Sequence, residues 1–186
     1  MGAKLFKLLC LMTPAMANYQ ELQQEAQKRL QTADHMLHVT YPSVKEPKIL
    51  VAVLGHLFHS LAAAIAALVA YERQFKRVPP YPQSFIGEFE VFRKHCVPDY
   101  GIPLAMVKLI QDVHETVQLG PGHIVVEGQQ LRELQSQWGT KTISPGTLGA
   151  YLGQGKSFLL SVDTILKQNQ EVFEASVRGI SHGRRV

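Results

Sequence analysis

The stretch ILVAVLGHLFHSLAAAIAALVAY, residues 49 to 71, decides the fold. It carries no Asp, Glu, Lys or Arg, and at ~1.5 Å per residue a helix of this length reaches across a bilayer core. Three features argue against a span. Gly55, His56, His59 and Ser60 interrupt it, alanines such as Ala62 to Ala64, Ala66 and Ala67 lower its hydrophobicity, and no second apolar segment of comparable length exists. Basic residues flank both ends, Lys45 and Lys48 before and Arg73, Lys76 and Arg77 after, so charge asymmetry sets no orientation. A helix apolar all round is also what a buried core helix looks like. The stretch is therefore read as the hub of a soluble, mainly α up-down bundle of about five helices. A membrane-anchored protein spanning 49–71 is the alternative.

Upstream, Leu22, Ala26, Leu30, Ala33 and Leu37 recur at helical spacing among Gln, Glu, Lys and Arg, predicting an amphipathic helix from Asn18 to about His38. Asn18, with Glu21 three positions on, suits its N-cap. Thr40-Tyr41-Pro42 then punctuates the chain, and Pro47 suits the first turn of the central helix. So short a link predicts an antiparallel pair.

Downstream, Val78-Pro79-Pro80-Tyr81-Pro82 forbids helix and favours extended backbone. A third helix follows with Phe85, Phe89 and Phe92 on one face, closed by Pro98. A fourth opens at Pro103, shares Met106, Ile110, Val113 and Val117 on one face, and stops at Gly120-Pro121-Gly122. Ile124-Val125-Val126 and Lys141-Thr142-Ile143 suggest a small β-hairpin between the fourth and fifth helices. The last helix starts at Ser144-Pro145, with Leu148, Leu152, Leu159, Val162 and Leu166 as its stripe and Gly146, Gly149, Gly153 and Gly155 weakening its first half.

With 186 residues, 46% of them hydrophobic and 18% charged, one domain with a packed core is expected. The expected organisation is a disordered or loosely docked leader at 1–17, a bundle at 18–175 and a basic tail at 176–186. The leader mimics a secretory signal through Lys4, Lys7 and Ala15-Met16-Ala17, but its apolar stretch is short and Thr13-Pro14 interrupts it. Cys10 and Cys96 supply neither a disulfide framework nor a CxxC pair, which leaves a reducing cytoplasm as the expected location.

The chemistry-bearing residues are few. His35 with His38 and His56 with His59 are HisxxHis pairs, each sharing a helix face, and such faces are where bundles assemble metal ligands. In an antiparallel pair His56 lies deeper than His35, so the four imidazoles are not level, and no Glu-x-x-His spacing completes a di-iron site. No cofactor is expected. The net charge of +4 is mild, and its densest groups, Arg73, Lys76 and Arg77, then Arg93 and Lys94, form the candidate nucleic-acid-binding face. Gly155-Lys156-Ser157 resembles the end of a phosphate-binding loop, but Ala150 stands where the first glycine belongs. Ser-His-Asp order, nucleophile elbow and HExxH are lacking.

Arg29 and His35 match the loose Arg-x4–6-His motif of HEPN (higher eukaryote and prokaryote nucleotide-binding) ribonucleases, in which arginine stabilises phosphate charge and histidine moves protons. The match departs from that pattern at Leu30, where a polar residue is usual. Ala33-Asp34-His35-Met36-Leu37, Thr40-Tyr41-Pro42-Ser43-Val44-Lys45, Ala70-Tyr71-Glu72-Arg73-Gln74-Phe75-Lys76-Arg77 and Lys141-Thr142-Ile143-Ser144 together resemble an uncharacterised archaeal family of small helical proteins. The resemblance covers about residues 18 to 169, and the helix order is similar to that of HEPN bundles. It implies lineage and single-domain character and carries no activity. The expected function is a non-enzymatic binding or interaction protein, with RNA or another protein as partner and homo-oligomerisation open. A metal-independent HEPN-like ribonuclease is the enzymatic alternative.

Overall fold

The computed structural model describes the backbone at residues 2–118, 124–127, 130–133 and 142–182, and side chains at 19–118 and 144–168. The described chain is mainly helical, as expected, with five helical segments. Helix α1 comprises Gly2–His35, a wider π turn at Met36–Thr40 and a last turn at Tyr41–Val44. Helix α2 is Pro47–Gln74. Helix α3 comprises Phe85–Val91, a second π turn at Phe92–Cys96 and a last turn at Val97–Tyr100. Helices α4 and α5 are Leu104–Gln118 and Pro145–His182.

Two prolines expected to end helices do not. Pro42 and Pro98 each lack an N–H and would crowd the carbonyl one turn back. In both places the chain widens by one π turn: the N–H of Tyr41 donates to the Met36 carbonyl and that of Val97 to the Phe92 carbonyl. The extra residue makes room for the proline ring, and the helix continues for one more turn. It stops where a left-handed residue reverses the chain, Lys45 at φ 53° and Gly101 at φ 62°. The first helix therefore runs past His38, and its start differs too. Its backbone is already helical from Gly2, so Asn18 is not an N-cap.

Helix α2 is the hub, contacting each of the other four helices. Fourteen of its residues are buried, with Leu57, Leu61, Ile65 and Leu68 fully so. Its pairing with α1 is antiparallel: Tyr71 packs edge-on to Tyr19 at 5.3 Å, and the Ser60 hydroxyl donates to the Ala26 carbonyl at 2.7 Å. Helix α5 lies in the groove between them. A Cβ on its Gly155 would stand 3.2 Å from Leu57 and 3.5 Å from Leu30, so this glycine, helix-weakening in isolation, lets three helices approach closely. The stripe Leu148, Leu152, Leu159, Val162 and Leu166 is buried as expected, and Ser144 caps the helix by accepting from the Thr147 N–H at 3.1 Å.

Between α4 and α5, short extended pieces at Ile124–Glu127, Gln130–Glu133 and Thr142–Ile143 pair antiparallel. Gly120-Pro121-Gly122 and most of this stretch lie outside the described residues. The described fold is that of an all-α protein, and these short pieces do not amount to the expected hairpin. The side chains of the leader and of the basic tail also lie outside the described residues.

Candidate functional site

A cleft of about 710 Å³ opens between the C-terminal half of α2, the strap at 78–84 and the first turns of α3. Sequence sets its walls. Ala66 and Ala70 are too small to fill the space beside α2, and the prolines of the strap hold it extended away from the helix. The strap is clamped to α3 at one point: a Cβ on Gly87 would stand 3.1 Å from Pro82 Cδ and closer still to the Pro82 carbonyl oxygen. Ser84 caps α3 by accepting from the Gly87 N–H at 3.2 Å.

Arg73, Gln74 and Glu88 are among the polar residues that line this cleft. Arg73, at the end of α2, lays its guanidinium over the Tyr81 ring, 5.5 Å from the centroid. This keeps the planar fork in place and leaves its N–H edge free to donate. The Gln74 amide nitrogen and oxygen are both shut off from solvent without a hydrogen-bond partner. Glu88 on α3 also lines the cleft, and burial pushes its carboxyl above the usual range. Among the described residues neither Arg73 nor Glu88 has an ion-pair partner.

The residues singled out from sequence do not converge. Arg29 donates from Nε to Glu25 at 2.6 Å, and its charge acts on His56 across the α1/α2 seam, while His35 is exposed. His38 sits 3.2 Å from the Asp34 carboxylate, which also takes Lys156 at 2.7 Å. Lys156 is thus committed to an ion pair in mid-helix rather than to a phosphate loop. His56 is half-buried with an unpartnered Nδ1, and His59 is exposed. Among the described residues no group of three or more His, Cys, Asp or Glu could hold a metal, so the four histidines form no common site.

The basic face is largely occupied as well. Arg93 donates to both Glu90 oxygens at 3.0 and 3.1 Å, Lys94 approaches the same carboxylate at 3.8 Å, and Arg77 lies 3.6 Å from Glu72. Arg73, stacked on Tyr81, and Lys76 stay exposed at that helix end without a described ion-pair partner.

Two buried polar clusters carry structure. Glu72, 3% exposed, accepts from the Tyr100 hydroxyl and ties the end of α2 to the end of α3. Beside it, burial and the Glu72 charge push the Cys96 thiol up to about 12, so it stays protonated and inert. On the other side, His114 of α4 packs against Phe85 at 4.6 Å and Phe58 at 5.4 Å.

Burial holds the His114 pKa below 6.5, against a smaller opposite effect of Glu115. As pH falls below 6.5 the unfolded chain takes up this proton first, so stability present above that pH is lost toward the folded pKa. His56 acts in the same direction, through burial and then Arg29. Replacing His114 by Phe is expected to make the fall of the urea midpoint below pH 6.5 shallower. An unchanged slope would exclude His114 as a contributor.

Of Arg73, Gln74 and Glu88, sequence reading singled out Arg73 alone as a candidate site residue, and for a different role. Gln74 and Glu88 look like ordinary solvated helix positions, and the signal that could have marked them is the rigid Pro-rich strap that follows α2. No protein-family model, curated protein or solved structure matches the chain.

Proposed function

We propose that this chain is a non-enzymatic helical binding protein whose ligand seats in the cleft between α2, the strap and α3. The observation that carries this reading is the Gln74 amide, whose donor and acceptor lie unmatched behind the cleft wall. Leaving such groups unsatisfied costs roughly 1–3 kcal/mol, a cost that a ligand would offset once the side chain turns its amide toward the cleft. Arg73 beside it adds a fixed donor edge, and the volume lies within the ~300–1,000 Å³ of small-molecule sites.

Burial of fourteen residues of α2 supports reading that helix as the core of a soluble protein rather than a membrane span. Half of its most apolar window is buried. An RNA partner draws less support, because Arg77, Arg93 and Lys94 already face carboxylates. A HEPN-like ribonuclease gains nothing from an Arg29 bonded to Glu25 beside an exposed His35.

The reading is testable without knowing the ligand. Replacing Gln74 by Met keeps length and volume and removes the unmatched amide, so it is expected to leave stability unchanged or raise it by about 1 kcal/mol. Urea unfolding measures this. A loss of more than about 1 kcal/mol would mean that the amide is paired within the folded protein, and the cleft reading would fall.

A further inference from the structure

Arg73 of α2 and Glu88 of α3 both line one cleft, without a bridge to each other or to any other described ion-pair partner. Surface ion pairs form readily where geometry allows, so two opposite charges held apart around empty space describe a ligand with two opposite ends. A purely anionic ligand would meet the Glu88 carboxylate unfavourably, and a purely cationic one would meet Arg73. The apolar part of the wall is formed by Leu22, Ala66, Ala70 and Phe85. The Gln74 amide lies unmatched behind this wall and, once turned toward the cleft, offers one donor and one acceptor, the pair a peptide group needs.

We infer that the ligand is a zwitterion of short-peptide type, its carboxylate on Arg73, its ammonium on Glu88 and its peptide group on Gln74. This rests on the cleft reading above. The guanidinium fork suits a carboxylate bidentately, and stacking on Tyr81 pre-orients it. Glu88 is a carboxyl whose ionised form is poorly solvated, and an arriving ammonium supplies the counter-charge that burial withholds. The cleft of about 710 Å³ exceeds what a single amino acid fills and suits a body of a few residues.

The test uses the full chain, titrated with leucyl-leucine, N-acetyl-leucyl-leucine and leucyl-leucinamide, and followed by NMR at the amides of Gln74, Gln83 and Ser84. The dipeptide is expected to shift these signals. Each analogue, lacking one charge, is expected to bind at least about tenfold more weakly. Glu88→Gln should abolish the preference over the N-acetyl form and keep the preference over the amide, with an unchanged unfolding midpoint as control. If the analogues bind as tightly as the dipeptide at those amides, the zwitterion is wrong while the cleft reading stands. If none of the three shifts them, the zwitterion is again wrong, and the Gln74→Met measurement judges the cleft separately.

Discussion

Replacing Glu72 by Ala is expected to destabilise the fold by about 3 kcal/mol, among the larger effects available from one side chain. Glu72 is 3% exposed at the end of the core helix, and its carboxylate accepts from the Tyr100 hydroxyl while facing Arg77 at 3.6 Å. Truncation takes three kinds of support away together. It leaves a cavity in place of the carboxylate and its stem, takes from the Tyr100 hydroxyl its carboxylate acceptor, and releases the link between the ends of α2 and α3. The Arg77 contribution is small, because that side chain is half exposed and water solvates it readily. Glu72→Gln separates shape from charge: it keeps volume and an acceptor, and about 1 kcal/mol is expected. Urea denaturation of the two variants measures both values. An alanine variant within about 0.5 kcal/mol of the parent would show that Glu72 is dispensable to the fold.

Gly87→Ala is expected to cost about 3 kcal/mol and to disturb the cleft locally. The added methyl would collide with the Pro82 carbonyl oxygen and stand 3.1 Å from the Pro82 Cδ and 3.2 Å from its Cβ. Neither partner can step aside cheaply, since one is backbone and the other a ring in a stiff Pro-rich segment. The strap must therefore lift away from α3, carrying Tyr81 from beneath Arg73 and opening the wall next to Ser84. NMR would show shifts concentrated at residues 79–88, and the Ser84 cap on the Gly87 N–H would weaken, a loss of about 1 kcal/mol on its own. Gly153→Ala is the contrast. Its Cβ would meet nothing within 4 Å, and alanine is the better helix former there. Equal stability of the Gly87 and Gly153 variants would mean that the strap is not clamped at Gly87.

Much of the fold was legible because its causes are local or periodic. The uncharged run from Ile49 to Tyr71 had to be a helix buried on most sides, and prolines at 47 and 145 sit in first turns, where a missing N–H has no consequence. The short link before Pro47 made α1 and α2 antiparallel neighbours. Reading failed at Pro42 and Pro98 because the rule that proline ends a helix counts one hydrogen bond and one clash. Both are relieved by a single π turn, and packing of Tyr41, Cys96 and Val97 into the core supports keeping the helix going.

The candidate site was almost illegible for a related reason. Histidine pairs and a basic cluster stand out by composition, yet each is answered by a neighbour that sequence separation hides: Asp34 takes Lys156, Arg29 acts on His56 from the other helix, and Glu90 takes Arg93 and Lys94. Gln74 and Glu88 bear no motif at all. What the sequence by itself determined is the central helix, its partners and the positions of the apolar stripes, because burial follows periodicity. Only the tertiary structure decided which polar groups lack partners, since that depends on side chains meeting across elements, and the stiff strap held off α2 leaves Arg73, Gln74 and Glu88 lining a space that no described residue fills.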